Sequence, residues 1–206
     1  MIENYNLYRK TLFKTPIDDI TIIWRENTRF QIEEIILSNL NKNSTEIAIE
    51  KYPSSIEKEE TPEILNKIIQ ELNKYFNRKE AQFSLDYLNL KKLTPFQRKV
   101  LIATFNTQKG TVLTYKSIAD KINNPKAYRA VGSALAKNPF PIIIPCHRII
   151  KFDRTIGGFG GVSEGLKEKE ILLKIEGVEV DERKRISESP ILSLDRQKQT
   201  KITNFE

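Results

Sequence analysis

The stretch from Asn138 to Arg148 restricts the fold of this chain more than any other part of the sequence. It reads Asn-Pro-Phe-Pro-Ile-Ile-Ile-Pro-Cys-His-Arg, so three prolines in seven positions fix the backbone, and three consecutive isoleucines require burial. The chain has one cysteine, Cys146, and one histidine, His147, and both lie here. The only thiol and the only imidazole are therefore held on a rigid, partly buried frame.

These two residues exclude several kinds of site. One cysteine forms no internal disulfide, and one cysteine with one histidine cannot build the usual zinc sites, so we expect neither a metal nor a cofactor. A Cys–His hydrolase ordinarily takes its base from a distant part of the sequence, and the chain has no second histidine. No phosphate-binding glycine motif follows a predicted strand, so a nucleotide cofactor is not supported.

The sequence lacks the features of a membrane or secreted protein. No apolar run approaches the roughly 20 residues that span a bilayer, and the polar start, Met1–Lys10, is no secretory signal. A single free cysteine is typical of a reducing compartment. We therefore expect a cytoplasmic protein, associated with the nucleoid in a prokaryote, and no membrane partner.

The net charge of +7 is distributed unevenly. Residues 1–90 carry 12 basic and 15 acidic side chains, whereas residues 91–206 carry 22 and 12. Lys91–Lys151 holds 12 basic residues and one acidic residue, Asp120. Like charges repel one another, so such a segment favours a polyanionic partner, of which nucleic acid is the commonest. A basic surface that only aids solubility is the alternative at this point.

Residues 1–90 are predicted to form a small α/β domain. Short apolar runs indicate strands at Ile20–Trp24 and Ile47–Ile49, whereas Ile32–Leu40 fits a strand or a helix. A polar linker covers Pro53–Glu60.

A helix follows this linker. Thr61 is its predicted N-cap and Pro62 its first helical residue, the position that proline prefers. Apolar residues at helical spacing then indicate one buried face. They are Ile64, Leu65, Ile68, Ile69, Leu72, Tyr75 and Phe76.

Residues 91–180 are predicted to form a second, mainly helical domain. Thr94-Pro95 repeats the helix start signal, and that helix ends before Gly110. Thr114 is the predicted cap of a shorter helix, Tyr115–Ile122.

A third helix is predicted from Pro125, with Asn124 as its cap, to about Ala136. Two short helices joined by a brief turn inside the basic segment are typical of a helix-turn-helix, although helix pairs are also common in bundles. The third helix offers small residues and two long cations, a pattern suited to a shallow or narrow groove or to tight core packing. The residues are Lys126, Ala127, Arg129, Ala130, Gly132, Ser133 and Ala134.

Cys146 has two possible interpretations. A lone cysteine is usually an inert buried residue. The adjacent His147, the following Arg148 and the basic surroundings instead favour the thiolate, which is the reactive form. Neighbouring side chains tend to point apart, so we expect His147 to act on the thiol through a bridging water.

Two further features stand near the end of the predicted second domain. Leu166–Ile175 is a predicted helix that Gly177 terminates, so Glu176 lies at the unfavourable end of the helix dipole. His147 is a candidate partner for that carboxylate, and a solvated surface acid is the alternative. Gly157–Gly161, four glycines around Phe159, can close around a flat ligand or form a plain flexible loop.

The residues from Gly110 to Gly177 resemble the catalytic domain of the O6-alkylguanine-DNA alkyltransferases, the methylated-DNA–protein-cysteine methyltransferases. The motifs that carry the resemblance are Thr114-Tyr115, Asn124-Pro125-Lys126-Ala127, Arg129-Ala130-Val131-Gly132, Asn138-Pro139-Phe140-Pro141, Pro145-Cys146-His147-Arg148, Gly158-Phe159-Gly160, Leu172-Leu173 and Glu176-Gly177.

This resemblance implies repair of DNA by direct transfer of an alkyl group from O6 of guanine, or from O4 of thymine, to Cys146. The protein would react once and be inactivated as an S-alkylcysteine. His147 would take the thiol proton through a water, Glu176 would orient the imidazole, Asn138 would hold the active-site turn, and Tyr115 would donate a proton to the departing base.

The resemblance also implies a partner, double-stranded DNA bound through its minor groove by a monomer, with the damaged base flipped out of the duplex. Arg129 would fill the gap in the base stack. Contacts to DNA carry over to Tyr115, Lys116, Asn124, Lys126, Ala127, Arg129 and Ala130, and the base pocket to Ile149, Gly158, Phe159 and Gly160.

The implied fold is a small ribonuclease-H-like sheet domain followed by a winged-helix-like domain with the helix-turn-helix. Three features depart from the family pattern: Phe159 replaces a common tyrosine, Val162–Gly165 lengthens the loop, and the polar tail 181–206 has no counterpart. The competing class is a lesion-binding protein that does not transfer the alkyl group. Such proteins have lost the cysteine, and this chain retains Cys146.

Overall fold

The computed structural model describes residues 6–26, 29–159 and 165–186. Its first half contains a four-stranded sheet in the order β3-β2-β1-β4. Neighbours in the series β1, β2 and β3 are antiparallel, and β4 pairs parallel to β1. The strands are β1 (Leu7–Thr15), β2 (Asp18–Glu26), β3 (Phe30–Leu37) and β4 (Ile56–Glu57). The strand predicted at Ile20–Trp24 is confirmed, and the ambiguous segment from Ile32 is a strand as far as Leu37.

The strand predicted at Ile47–Ile49 is wrong, because these residues lie in helix α1 (Ser44–Lys51). Asn43 and Glu46 form a capping box, in which each side chain accepts the other residue's backbone amide at 2.9 Å. Three apolar residues are too few to reveal a period, so the cap decides. The linker predicted over Pro53–Glu60 is also interrupted, since it contains β4.

Strand β2 is buried on both faces. On one face Ile23 packs with Ile36 of β3 and Ala48 of α1. Ile22 and Trp24 belong to the main core, which they share with helix α2 (Glu63–Phe76) and with residues of the second half. This two-sided burial explains the nearly continuous apolar run in the sequence.

Helix α2 has the predicted apolar face, since Leu65, Ile68, Leu72 and Tyr75 are buried. Its start differs by one residue from the prediction. Pro62 occupies the N-cap position, Glu63 is the first helical residue, and no side chain caps the helix.

The second half is mainly helical. Its elements are α3 (Pro95–Phe105), β5 (Leu113–Thr114), α4 (Tyr115–Lys121), α5 (Tyr128–Ala136), β6 (Ile149–Ile150) and α6 (Leu166–Ile175). The predicted caps Thr94 and Thr114 are confirmed, because their hydroxyls accept the amides of Gln97 and Ser117. The predicted start of α5 is wrong. Asn124 and Pro125 lie in a turn closed by the Ala127 amide, and the helix begins at Tyr128.

The proline-rich segment connects α5 to β6 through the core. The amide of Ile35 on β3 donates to the Pro139 carbonyl at 2.8 Å, which ties this segment to the sheet. Ile142 has a φ of 72°, a conformation that costs a β-branched residue about 1–3 kcal/mol. Ile142 is only 1% exposed, so buried packing holds this strained turn four residues before Cys146.

The predicted tail, 181–206, is described only as far as residue 186. Val180 and Ile186 form an antiparallel bridge, and Ile186 is 2% exposed in a small apolar cluster with Val178. Ile186 therefore packs against the protein, whereas residues 181–185 are exposed. Within the described ranges, no helix has the length and apolar character needed to cross a membrane.

Candidate active site

Asn138 fixes the turn that carries Cys146. Its Nδ2 donates to the Ile144 carbonyl at 2.9 Å and to Cys146 Sγ at 3.3 Å, and its Oδ1 accepts the Phe140 amide at 3.0 Å. One side chain therefore satisfies backbone groups at both ends of the proline-rich segment. It also supplies a donor to the sulfur, which stabilises negative charge there.

Cys146 begins a single 3-10 turn, Cys146–Arg148, and is 7% exposed. Burial raises the pKa of its thiol above the ordinary value, while the Asn138 donor and the Lys169 charge act in the opposite direction. The expectation that the surroundings favour the thiolate is therefore wrong for the protein without substrate. Arg148 does not offset the burial, because its guanidinium pairs with Glu176.

His147 is fully buried and contacts Glu176, with 2.8 Å between Nε2 and Oε1. Burial lowers the pKa of the imidazole, and Glu176 opposes this change. A neutral imidazole carries one proton, which belongs on Nε2, where the carboxylate accepts it. Among the described residues, Nδ1 has no hydrogen-bond partner although it is buried. This arrangement leaves the Nδ1 lone pair available to take up a proton.

Glu176 accepts more hydrogen bonds than a surface acid would. Arg148 donates Nε to Oε2 and Nη2 to Oε1, both at 2.9 Å, and the Gly110 amide donates to Oε2 at 3.2 Å. Burial opposes the charged form, but His147 and Arg148 outweigh it and hold the pKa of Glu176 well below its usual range. These donors offset its position at the C-terminal end of α6. The alternative of a solvated acid is excluded.

Tyr75 also belongs to the hydrogen-bonded group formed by His147, Arg148 and Glu176, and the sequence did not predict this. Its hydroxyl donates to Glu176 Oε1 at 2.9 Å and lies 3.2 Å from His147 Nε2. The sequence placed Tyr75 on the apolar face of α2, which is correct for its ring. Helical spacing gives no information about the partner of its hydroxyl.

Lys169 is the second residue of the site that the sequence did not predict, and it is only 1% exposed. Its Nζ donates to the Ile149 carbonyl at 2.6 Å and the Gly158 carbonyl at 3.4 Å, and burial lowers its pKa from 10.5 to about 8. The sequence did contain a signal. Lys169 lies three residues after Leu166 and three before Leu172, which is the buried face of α6.

The residues predicted to form the base pocket differ in their burial. Ile149 is fully buried and Phe159 is 5% exposed, whereas Gly158 is exposed and Gly160 lies outside the described residues. Cys146 and Phe159 both line a cavity of about 490 Å³. The Phe159 carbonyl would lie 2.5 Å from a Cβ at position 165, so only glycine fits there. The remainder of the predicted loop extension, 162–164, lies outside the described residues.

Tyr115 begins α4 and is half-buried. Its hydroxyl lies against Gly157, since a Cβ there would be 3.3 Å from it. Burial raises the pKa of the Tyr115 hydroxyl, and the nearby Cys146 sulfur adds to the effect. Tyr115 therefore remains a proton donor at neutral pH.

The residues predicted to contact DNA lie on α4, on α5 and on the turn between them. Lys116, Asn124, Lys126, Arg129 and Ala130 are exposed, and Ala127 is half-buried. Arg129 lies over the ring of Tyr128, with its guanidinium carbon 5.9 Å from the ring centre. These residues form an outer surface, whereas Cys146, His147 and Glu176, which we call the thiol cluster, are buried.

In the described part of the chain, no group of three or more His, Cys, Asp or Glu side chains could hold a metal ion.

Solved structures with similar folds share this arrangement of a small sheet and a helical half. A crystal structure of Mycobacterium tuberculosis OGT in complex with DNA matches 82% of this chain and 92% of its own, with 28% identity and a TM-score of 0.64. The O6-methylguanine-DNA methyltransferase from the archaeon Pyrococcus kodakaraensis KOD1 matches 84% of this chain and 99% of its own, with 25% identity and a TM-score of 0.50.

Comparisons of the amino-acid sequence point to the same kind of protein as the similar solved structures. Residues 95–178 match the family described as 6-O-methylguanine DNA methyltransferase, DNA binding domain. The methylated-DNA–protein-cysteine methyltransferase of Methanothermobacter thermautotrophicus is 30% identical over 166 residues, covering 81% of this chain and 84% of the relative. That of Haemophilus influenzae is 40% identical over 149 residues, covering 70% and 80%. The chain therefore belongs to the methylated-DNA–protein-cysteine methyltransferase family.

Proposed function

We propose that this chain repairs DNA by transferring the alkyl group of O6-alkylguanine directly to Cys146. The observation that carries the proposal is the position of this sulfur. It accepts from Asn138, and the next residue in the chain, His147, has its Nε2 held by Glu176 and its buried Nδ1 without a partner among the described residues. The relatives named above are methyltransferases of the same type. The alternative of a lesion-binding protein without transfer is not favoured, because the thiol and its partners are present together.

The reaction needs only groups that this chain supplies. His147 Nδ1 takes the thiol proton through one bridging water, and the imidazolium that forms is stabilised by Glu176. The sulfur then attacks the alkyl carbon, so an S–C bond forms while the C–O6 bond breaks and its electron pair stays on the guanine oxygen. The product is an uncharged thioether. Nothing among the described residues regenerates the thiol, so each protein reacts once.

The departing guanine gains a proton, and Tyr115 is the proposed donor because its hydroxyl stays protonated beside the sulfur. We propose that Ile149, Phe159 and the backbone of Gly158 and Gly160 hold the flipped base. Lys169 supports this pocket, since its Nζ binds the carbonyls of Ile149 and Gly158.

The partner that we propose is double-stranded DNA, bound by a monomer through its minor groove. Small side chains on α5 allow a close approach, and the exposed Lys116 and Lys126 suit phosphates. Arg129 is the proposed side chain that fills the gap left by the flipped base. Asn124, Ala127, Ala130 and Tyr115 complete the proposed contact surface.

The same proposal includes the domain organisation of the chain and the compartment in which it works. Residues 1–90 would form a ribonuclease-H-like domain, residues 91–180 a winged-helix-like domain with α4 and α5 as its helix-turn-helix, and residues 181–206 a tail. A reducing cytoplasm is the compartment that suits a protein whose only cysteine must remain a free thiol.

The test is the intact mass of the protein after incubation with a duplex oligonucleotide that carries one O6-methylguanine. We expect a gain of one methylene unit, saturating at one per protein and mapping to the Cys146 peptide. Cys146→Ala should gain no mass and still bind the duplex. If the unsubstituted protein binds the lesion tightly but gains no mass, it is a lesion-binding protein and not a transferase.

A further inference from the structure

Among the described residues of the first half, the hydroxyl of Tyr75 is the polar group that hydrogen-bonds to His147 and Glu176. We propose that Tyr75 is a positioning residue, whose hydroxyl fixes the Glu176 carboxylate and through it the His147 imidazole that activates Cys146. Helix α2 would then contribute to the reactivity of a sulfur 71 positions further along the chain. The inference deepens the proposed function and rests on it in taking Cys146 as the nucleophile.

The geometry is a closed triangle of polar atoms. Tyr75 Oη lies 2.9 Å from Glu176 Oε1 and 3.2 Å from His147 Nε2, and these last two atoms are 2.8 Å apart. A neutral imidazole has one proton on Nε2, and the carboxylate accepts it. The tyrosine proton therefore also goes to the carboxylate, so Oε1 is shared by His147, Tyr75 and Arg148.

Packing alone does not account for a tyrosine at this position. Its ring contacts Phe76 and Phe83, and phenylalanine would provide the same contacts. The side chain is 2% exposed, so an unpaired hydroxyl would be costly. Burial and the Glu176 charge raise the pKa of Tyr75 far above its usual value, and the hydroxyl therefore stays protonated through neutral pH and remains a donor.

The surrounding charges decide whether loss of the Tyr75 hydroxyl raises or lowers the pKa of His147. His147 faces Glu176, Arg148 and Lys169, and the Lys109 ammonium lies 5.9 Å from the centre of the Tyr75 ring. Tyr75 has no charge, so it changes the field at the imidazole only by neutralising part of the Glu176 charge. Without its hydroxyl the carboxylate would bind the Nε2 proton more strongly. The imidazolium would be stabilised and the pKa of His147 would rise.

The experiment measures the reactivity of the thiol without DNA. Cys146 is the only cysteine, so alkylation of the intact protein by iodoacetamide reports on this site alone. Its rate is followed from pH 5 to pH 10. For Tyr75→Phe we expect the acid limb of the profile to move up by roughly one pH unit, which is what one hydrogen bond to a charged group is worth. Replacing Tyr75 with 3-fluorotyrosine strengthens the donor and should move the limb down.

Tyr52→Phe is the matched control, because its hydroxyl also donates to a carboxylate, Glu34, at 2.7 Å. It should leave the profile unchanged. If Tyr75→Phe melts at a lower temperature but retains the original profile, the hydroxyl has only a structural role and the proposal is wrong. A fluorotyrosine profile that moves in the same direction as that of phenylalanine also contradicts it.

The two proposals fail separately. At neutral pH, where burial keeps His147 unprotonated, methyl transfer from the O6-methylguanine duplex should be about tenfold faster in Tyr75→Phe, because a more basic imidazole takes the thiol proton more readily and one pH unit of driving force is worth a factor of ten. If the unsubstituted protein transfers no methyl group while the iodoacetamide profiles differ as expected, the proposed function fails and the role of Tyr75 in activating the thiol stands.

Discussion

Lys169→Met tests a buried charge, the ammonium of Lys169, which is 1% exposed and binds the carbonyls of Ile149 and Gly158. Methionine has a similar length, no branching and no charge, so it can fill the same space. Lys167→Met on the exposed side of the same helix is the matched control. The two variants lose the same charge and differ only in its burial.

The structure sets the size and the sign of the effect. Burial lowers the pKa of Lys169 from 10.5 to about 8, which corresponds to about 3 kcal/mol against the protonated form in the folded protein. Below about pH 8 both the folded and the unfolded chain bind this proton, so the folded state bears the whole cost. Between about 8 and 10.5 the unfolded chain binds more protons, and the free energy of unfolding rises with pH. Lys169→Met should lack this rise.

The assay is urea denaturation at several pH values from 7 to 10.5. Trp24 is the only tryptophan and is fully buried, so its fluorescence reports on unfolding. The loss of donors to the carbonyls of Ile149 and Gly158 adds a penalty that does not depend on pH up to about 8, and only the slope is diagnostic. The reasoning is refuted if Lys169→Met and the unsubstituted protein show parallel pH dependence. Lys167→Met should parallel the unsubstituted protein.

Three further predictions follow from the site. Arg129→Ala should slow repair of duplex DNA more than reaction with free O6-methylguanine, measured as two second-order rates; equal losses count against a role in base flipping. The affinity for duplex DNA should fall steeply with salt concentration, and a flat salt titration would contradict phosphate contacts. Glu176→Gln should lower the free energy of unfolding by about 3 kcal/mol, since it leaves the Arg148 guanidinium, whose side chain is 12% exposed, without its anion; unchanged urea unfolding would contradict that role.

The helices were largely predictable because they depend on local signals. Thr94 and Thr114 cap α3 and α4 as their residue types and positions predict. The local signals failed where two of them competed. The apolar run at Ile47–Ile49 suggested a strand, and the capping box of Asn43 and Glu46 made it a helix. For α5, Pro125 marked a turn that precedes the helix and not the helix itself.

Tyr75 and Lys169 show a different limit. Each lies on the apolar face of an amphipathic helix, so helical spacing correctly predicts that its stem is buried. The polar end of each side chain is satisfied by a group from another element. For Tyr75 this group is Glu176, 101 positions away in the sequence. No local pattern contains that information.

The sequence by itself determined which atoms could react. With one thiol and one imidazole, held in a proline-rich segment, it left Cys146 and His147 as the only candidates of their kind. Only the tertiary structure decided the protonation states of these two side chains. Burial raises the pKa of the thiol and lowers that of the imidazole, and Glu176 determines which imidazole nitrogen keeps its proton. Desolvation and Coulomb energies depend on distances through space, and those distances are set by packing between segments far apart in the chain.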